Sequence, residues 1–143
     1  MIDEFIAEIC DLLNIELPTV SYDTSHFPTE TTLALCAPVS NIIYLKKIGT
    51  PNFDYMFSIA HELRHLYQYK KDEKFYFVNY KPSDRCKSLE EYNLQIAEVD
   101  ANAFANIVMV EFFHLKPLWH GMTPTVIDSI NARIGVIISE LNS

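Results

Sequence analysis

Three residues within FSIAHELRHLYQYKK, residues 57–71, have the types and spacing of a metal site: His61, Glu62 and His65. On a helix, residues four apart share a face, so both imidazoles can point at one ion. Glu62 is offset by one position and points beside the pair. That placement suits a base acting on water at the metal rather than a third ligand to the same ion. The plain alternative is a surface helix with two ordinary histidines and an ion-pairing glutamate.

A catalytic zinc site takes three protein ligands and keeps one position open. The segment AEVDANAFANIV, residues 97–108, supplies a candidate. Glu98 and Asn102 are four apart and share a face, which makes Glu98 the third ligand and Asn102 a partner to a ligand histidine. Ala101 and Ala105 fall on the same side and let this helix approach the first closely. Asp100 is the rival third ligand, but it lies on a different face from Glu98, and solvent exposure is its simpler reading.

The elements that must position these groups can be read from periodicity. Residues 3–14 carry Phe5, Ile6, Ile9, Leu12 and Leu13 at helical spacing. TVSYD (19–23), TTLALCA (31–37) and NIIYLKK (41–47) are rich in Thr, Val, Ile and Tyr. They predict a small antiparallel sheet of three strands, with PVS as the turn between the last two. GTPNFD ends the sheet, and a helix is expected from Asp54 to Tyr69 with Phe53, Phe57, Ala60 and Leu63 on its buried stripe. KFYFVNY (74–80) reads as a short strand or a packed loop. Ser88 followed by Glu91 is a capping-box signature, and the helix it opens is expected to run to about Phe113. Thr123 as N-cap and Pro124 in the first turn open a last helix with Val126, Ile127, Ile130, Ile134, Ile137 and Ile138 on its apolar face. The expected fold class is therefore α+β: an N-terminal helix, the sheet, then three helices with the metal site between the two central ones.

Length and composition bound the rest. The 143 residues fit one domain spanning 1–143, and 49% are hydrophobic, with eight Tyr and nine Phe, enough to form a core. Only three glycines occur, in no phosphate-cradling pattern. A net charge of −8 argues against a nucleic-acid partner. No apolar run approaches the length of a membrane span, and the acidic start MIDEFIAEICDLL is unlike a signal peptide, so the cytoplasm is the expected location. Cys10, Cys36 and Cys86 form no CxxC pair; the first two read as small core residues and the third as a free thiol in a loop.

HELRHLYQY followed by AEVDANAFANIVMV resembles the ImmA/IrrE-type metallopeptidases of bacteria, phages and mobile elements. The resemblance rests on His61, Glu62 and His65, then on Glu98, Ala101, Asn102, Phe104 and Ala105. It implies a minimal zincin-like domain, Zn2+ held by His61, His65 and Glu98, and Glu62 as the general base of peptide hydrolysis. It also implies a protein or peptide substrate, such as a repressor of a mobile element. Arg64 departs from the glycine often found there, and Pro117 comes later than the family's proline. Tyr67, Tyr69, His114 and His120 are candidates by chemistry for steadying an oxyanion, and His26 is a further loop histidine. Leu118, Trp119 and Met122 are expected to cover the core beneath the last helix. The competing functions are a catalytically inactive zinc-binding interaction module of the same fold and a metal-free helical adaptor.

Overall fold

The computed structural model describes residues 1–143. In chain order the elements are α1 (Ile2–Leu13), β1 (Thr19–Ser21), β2 (Ala34–Ala37), β3 (Ile42–Leu45), α2 (Phe53–Lys71), α3 (Glu73–Asn79), a 3-10 turn at Ser83–Arg85, α4 (Leu89–Asn93), α5 (Ile96–Phe113) and α6 (Pro124–Leu141). An N-terminal helix and a small sheet thus precede a cluster of helices, as the sequence predicts. None of the helices is long and apolar enough to cross a membrane.

Local chemistry sets the helix ends. Asn14 closes α1 in the left-handed conformation (φ 55°), which asparagine tolerates better than most side chains. Asn52 caps α2 by accepting from the Tyr55 N–H at 2.9 Å, and Lys70 and Lys71 sit in the last turn, where the helix dipole favours cations. Ser88 and Thr123 cap α4 and α6 as expected, through the N–H groups of Glu91 and Val126.

Four expectations need correction. The sheet is mixed, with order β1-β3-β2: β2 and β3 form an antiparallel hairpin, but β1 lies parallel to β3. The segment between β1 and β2 crosses over, so β1 adds on the far side of the hairpin. KFYFVNY is largely helical within α3, because Asp72 caps Phe75 at 3.0 Å and starts a turn that its aromatic composition obscures. The helix expected from Ser88 to Phe113 is two helices, interrupted at Leu94 and Gln95, where the Gln95 side chain bonds back to Lys81 and Tyr92. Three expected core residues, Leu12, Leu118 and Ile138, are exposed.

The core gathers on α2, which packs against α1, β2, α3 and α5. Ile9, Ile43, Leu45, Ile59, Leu63, Leu66 and Phe104 are fully buried, each contributing about 1.5–3 kcal/mol through apolar area removed from water. Trp119 and Met122 pack against this core, with Trp119 edge-on to Phe57 at 5.8 Å. The seam between α2 and α5 differs in character. Ala60, Ala97, Ala101 and Ala105 are all buried there, among polar side chains that make the site.

Candidate metal centre

His61 and His65 project from one face of α2 toward Glu98 in the first turn of α5. Their Nε2 atoms are 3.2 Å apart; Glu98 Oε2 is 3.4 Å from His61 Nε2 and 2.5 Å from His65 Nε2. These three residues make up the cluster able to hold a metal ion. A tetrahedral ion with ligand bonds of about 2.0–2.1 Å has ligand–ligand edges of about 3.3 Å, and two of the three separations are near that value.

The hydrogen bonds behind the ligands set which nitrogen faces the centre. His65 Nδ1 lies 2.8 Å from Gln68 Oε1. The Gln68 amide nitrogen donates to the Ala97 carbonyl at 2.9 Å and to Asp100 Oδ2 at 2.8 Å, so both of its N–H groups are committed. The amide oxygen must therefore accept, and Nδ1 of His65 must carry the proton. His61 Nδ1 makes the matching contact to Asn102 Oδ1 at 2.8 Å. In the neutral tautomers both Nε2 atoms then present lone pairs to each other and to Glu98. Glu98 Oε2 is buried without a hydrogen-bond partner. Three converging lone pairs in a buried space need a proton or a cation. The donor set of two imidazoles and one carboxylate suits zinc.

Electrostatics show the same crowding. Burial alone would lower the His65 imidazolium, but the Glu98 carboxylate beside it reverses this and lifts the group to about 9. Burial would raise the Glu98 carboxyl, yet His61 and His65 outweigh it and hold the group well below the usual carboxylate range. A divalent cation held here would take the place of the proton that this pair otherwise shares.

Glu62 stands beside the cluster, with Oε2 3.8 Å from His61 Nε2. Its other oxygen accepts from the Cys36 backbone N–H at 3.0 Å, which ties it to the edge strand β2. Burial raises its carboxyl above the ordinary value, with His65 and His61 opposing. Cys36 is half-buried at this edge rather than in the core, and burial followed by the nearby Glu62 pushes its thiol well up. Cys10 is in the core. A cleft of about 390 Å³ opens here, lined by Thr31, Leu33, Ala34, Phe57, His61 and Glu62 among others.

The remaining sequence candidates lie elsewhere. Asp100 does not join the cluster and is not solvent-facing. It is buried and accepts from Arg64 at 2.7 and 3.0 Å, from Gln68 at 2.8 Å and from Arg133 at 2.8 Å. Tyr67 lies under the Arg64 guanidinium, 4.5 Å from its ring centroid. Tyr69 packs on Tyr76 and Phe77. His114 ends α5 in the left-handed conformation (φ 56°), with its backbone serving as the cap, and its side chain is exposed, as is that of His120. The aromatic groups at the centre are instead Tyr80 and Tyr76, with ring centroids 5.4 and 5.8 Å from that of His65. Burial pushes the Tyr80 phenol up to about 12, against a hydrogen bond with Tyr92 that lowers it. Neither tyrosine has a motif spacing to the ligands; both arrive through the unanticipated α3 and the turn after it. Sequence reasoning also misses Gln68, although its place three residues after His65 on the same helix face is a usable signal.

The fold and the cluster together define a zincin-like α+β domain carrying a His61-Glu62-x-x-His65…Glu98 metal-binding constellation. Comparison with protein-family models, with curated proteins and with solved structures finds no match for this chain.

Proposed function

We propose that this protein is a zinc-dependent endopeptidase of the ImmA/IrrE type, acting on a regulatory protein such as a repressor of a phage or mobile element. The observation that carries the peptidase reading is Glu62, held by the Cys36 N–H with its other oxygen 3.8 Å from His61 Nε2, both residues lining the same cleft. A site built only to hold metal has no need of a carboxylate there. The family assignment rests on the spacing of His61, Glu62, His65, Glu98 and Asn102.

When bound, zinc supplies a Lewis acid that acidifies water and polarises a carbonyl. His61, His65 and Glu98 would hold it. Glu62 accepts the proton of the attacking water and returns it to the leaving amine, and its raised affinity for protons suits that exchange. Tyr80, a phenol that stays protonated at neutral pH, replaces Tyr67 and Tyr69 as the candidate donor toward a developing oxyanion. On this reading the substrate backbone lies along β2. Lys46 N–H bonds the Leu33 carbonyl while Cys36 N–H points to Glu62, so alternate residues of β2 face outward. Ala34 then offers its backbone groups to an extended peptide beside His61.

The test is cleavage of a proteome-derived peptide mixture by the zinc-loaded protein, read by mass spectrometry. Glu62→Gln should keep its zinc and lose at least about 100-fold in rate. Equal cleavage by Glu62→Gln overturns the base assignment. Absence of cleavage by a zinc-loaded wild type favours a non-hydrolytic zinc-binding module.

A further inference from the structure

Outside the ligands, the structure holds a buried charged network whose members take no direct part in the proposed hydrolysis. Asp100 accepts four hydrogen bonds: two from Arg64 on α2, one from Gln68 on α2 and one from Arg133 on α6. Arg64, Gln68 and Asp100 are only 4–6% exposed. Arg64 also stacks on Tyr67 and Phe104, at 4.5 and 5.0 Å from the ring centroids. Buried charge of this kind is poor evidence of added stability, because apolar replacements often do as well. Its geometry leads instead to the metal centre.

We propose that Asp100 and Gln68 form a positioning relay for His65, anchored by Arg64 and Arg133. The claim rests on the metal-centre reading and extends it. An amide side chain left to itself can turn over and offer either its oxygen or its nitrogen. At Gln68 this freedom is removed. Turning the amide over would set its oxygen against the Ala97 carbonyl and the Asp100 carboxylate, two acceptors with nothing to donate. Asp100 can impose this only because the two guanidiniums fix its own oxygens: Oδ1 takes Arg64 and Arg133, and Oδ2 takes Arg64 and Gln68. The result is an Nδ1–H on His65 that leaves Nε2, beside Glu98, as the nitrogen available to a metal. His61 is oriented through Asn102 alone. The two histidines are therefore unequal, and the tautomer of His65 is the more rigidly specified. Arg133 brings α6 into the chain, so the last helix takes part in orienting a metal ligand it does not touch.

The test measures zinc affinity by chelator competition for the wild type, Gln68→Ala, Gln68→Glu and Ile130→Ala, with far-ultraviolet circular dichroism to establish folding and urea denaturation to give stability. Gln68→Ala should weaken zinc binding about 10–100-fold, the range for lost outer partners of ligand histidines. Gln68→Glu sets a carboxylate against both the Ala97 carbonyl and Asp100 and should bind more weakly still. Ile130→Ala empties a fully buried position on α6 outside the relay, so it should lose stability and keep its zinc affinity. A merely structural network predicts instead that zinc affinity falls in step with stability in all three variants. The relay is overturned if the wild type binds zinc and a folded Gln68→Ala binds it within about twofold, or if Ile130→Ala loses as much zinc affinity as Gln68→Ala. A wild type that binds no zinc overturns the metal centre itself, which is a distinct result.

Discussion

The metal centre depends on how closely α5 approaches α2, and Ala101 is the residue through which that dependence can be tested. It is fully buried and lies on the same face of α5 as Glu98 and Asn102, which meet His65 and His61. Ala101→Leu adds three carbon atoms to a seam with no room for them. Overpacking of this kind costs about 1–3 kcal/mol, or a fall of about 3–10 °C in Tm for a chain of this size. The effect on metal should be larger in proportion. Ligand bonds hold to within about 0.2 Å, whereas seating a leucine needs a shift of the order of 1 Å between the helices. Glu98 Oε2 would then leave the 2.5 and 3.4 Å separations that bring it to the two imidazoles. Zinc affinity should drop by more than the roughly 10–100-fold typical of a lost outer partner. Ala101→Gly is the control: it loses about 1 kcal/mol of helix propensity but leaves the spacing intact, so it should bind zinc nearly as well as the wild type. Urea denaturation of metal-free protein and chelator competition supply the two readings. A folded Ala101→Leu with wild-type zinc affinity would refute the reasoning that the alanine seam sets the site.

Two further outcomes follow from burial and charge. Leu63→Ala empties a fully buried position on α2 and should cost about 2–5 kcal/mol in urea denaturation; a loss below about 1 kcal/mol contradicts the packing described. Burial alone would raise the Asp100 carboxyl, but the hydrogen bond and charge of Arg64, with Gln68 and Arg133 behind them, hold it at about 2 against an ordinary 3.8. Because the folded value is depressed, this stabilisation is present above about pH 4–5 and is lost as pH falls toward about 2. Linkage then gives about 1 kcal/mol lost between about pH 5 and pH 3 in metal-free protein, and Asp100→Asn should lack that contribution to the slope.

The candidate ligand residues were legible because metal chemistry constrains both residue type and helical spacing. His61, His65, Glu98 and Asn102 meet as periodicity predicts, and Ala101 shows its purpose in the same pattern. The caps at Ser88 and Thr123 were legible for a similar reason, since each is a local interaction within four residues. The direction of β1 was not. Strands of three or four residues carry no signal of parallel or antiparallel pairing, which the crossover between β1 and β2 decides. The aromatic run in α3 favours a strand by composition, while the Asp72 cap and packing of Tyr76 on Tyr80 make it a helix. Arg64 and Asp100 each look like surface residues when read alone. Only their bidentate contact across the two helices explains why both are buried.

The central claim is that His61, His65 and Glu98 hold one zinc ion, and its most direct test is zinc stoichiometry. Wild type, His61→Ala and Glu98→Ala are dialysed against equal low zinc and assayed by elemental analysis. The account predicts one zinc per wild-type chain and a large loss in both folded variants. A zinc-free wild type contradicts the claim, and a Glu98→Ala protein that retains a full equivalent shows that the third ligand lies elsewhere.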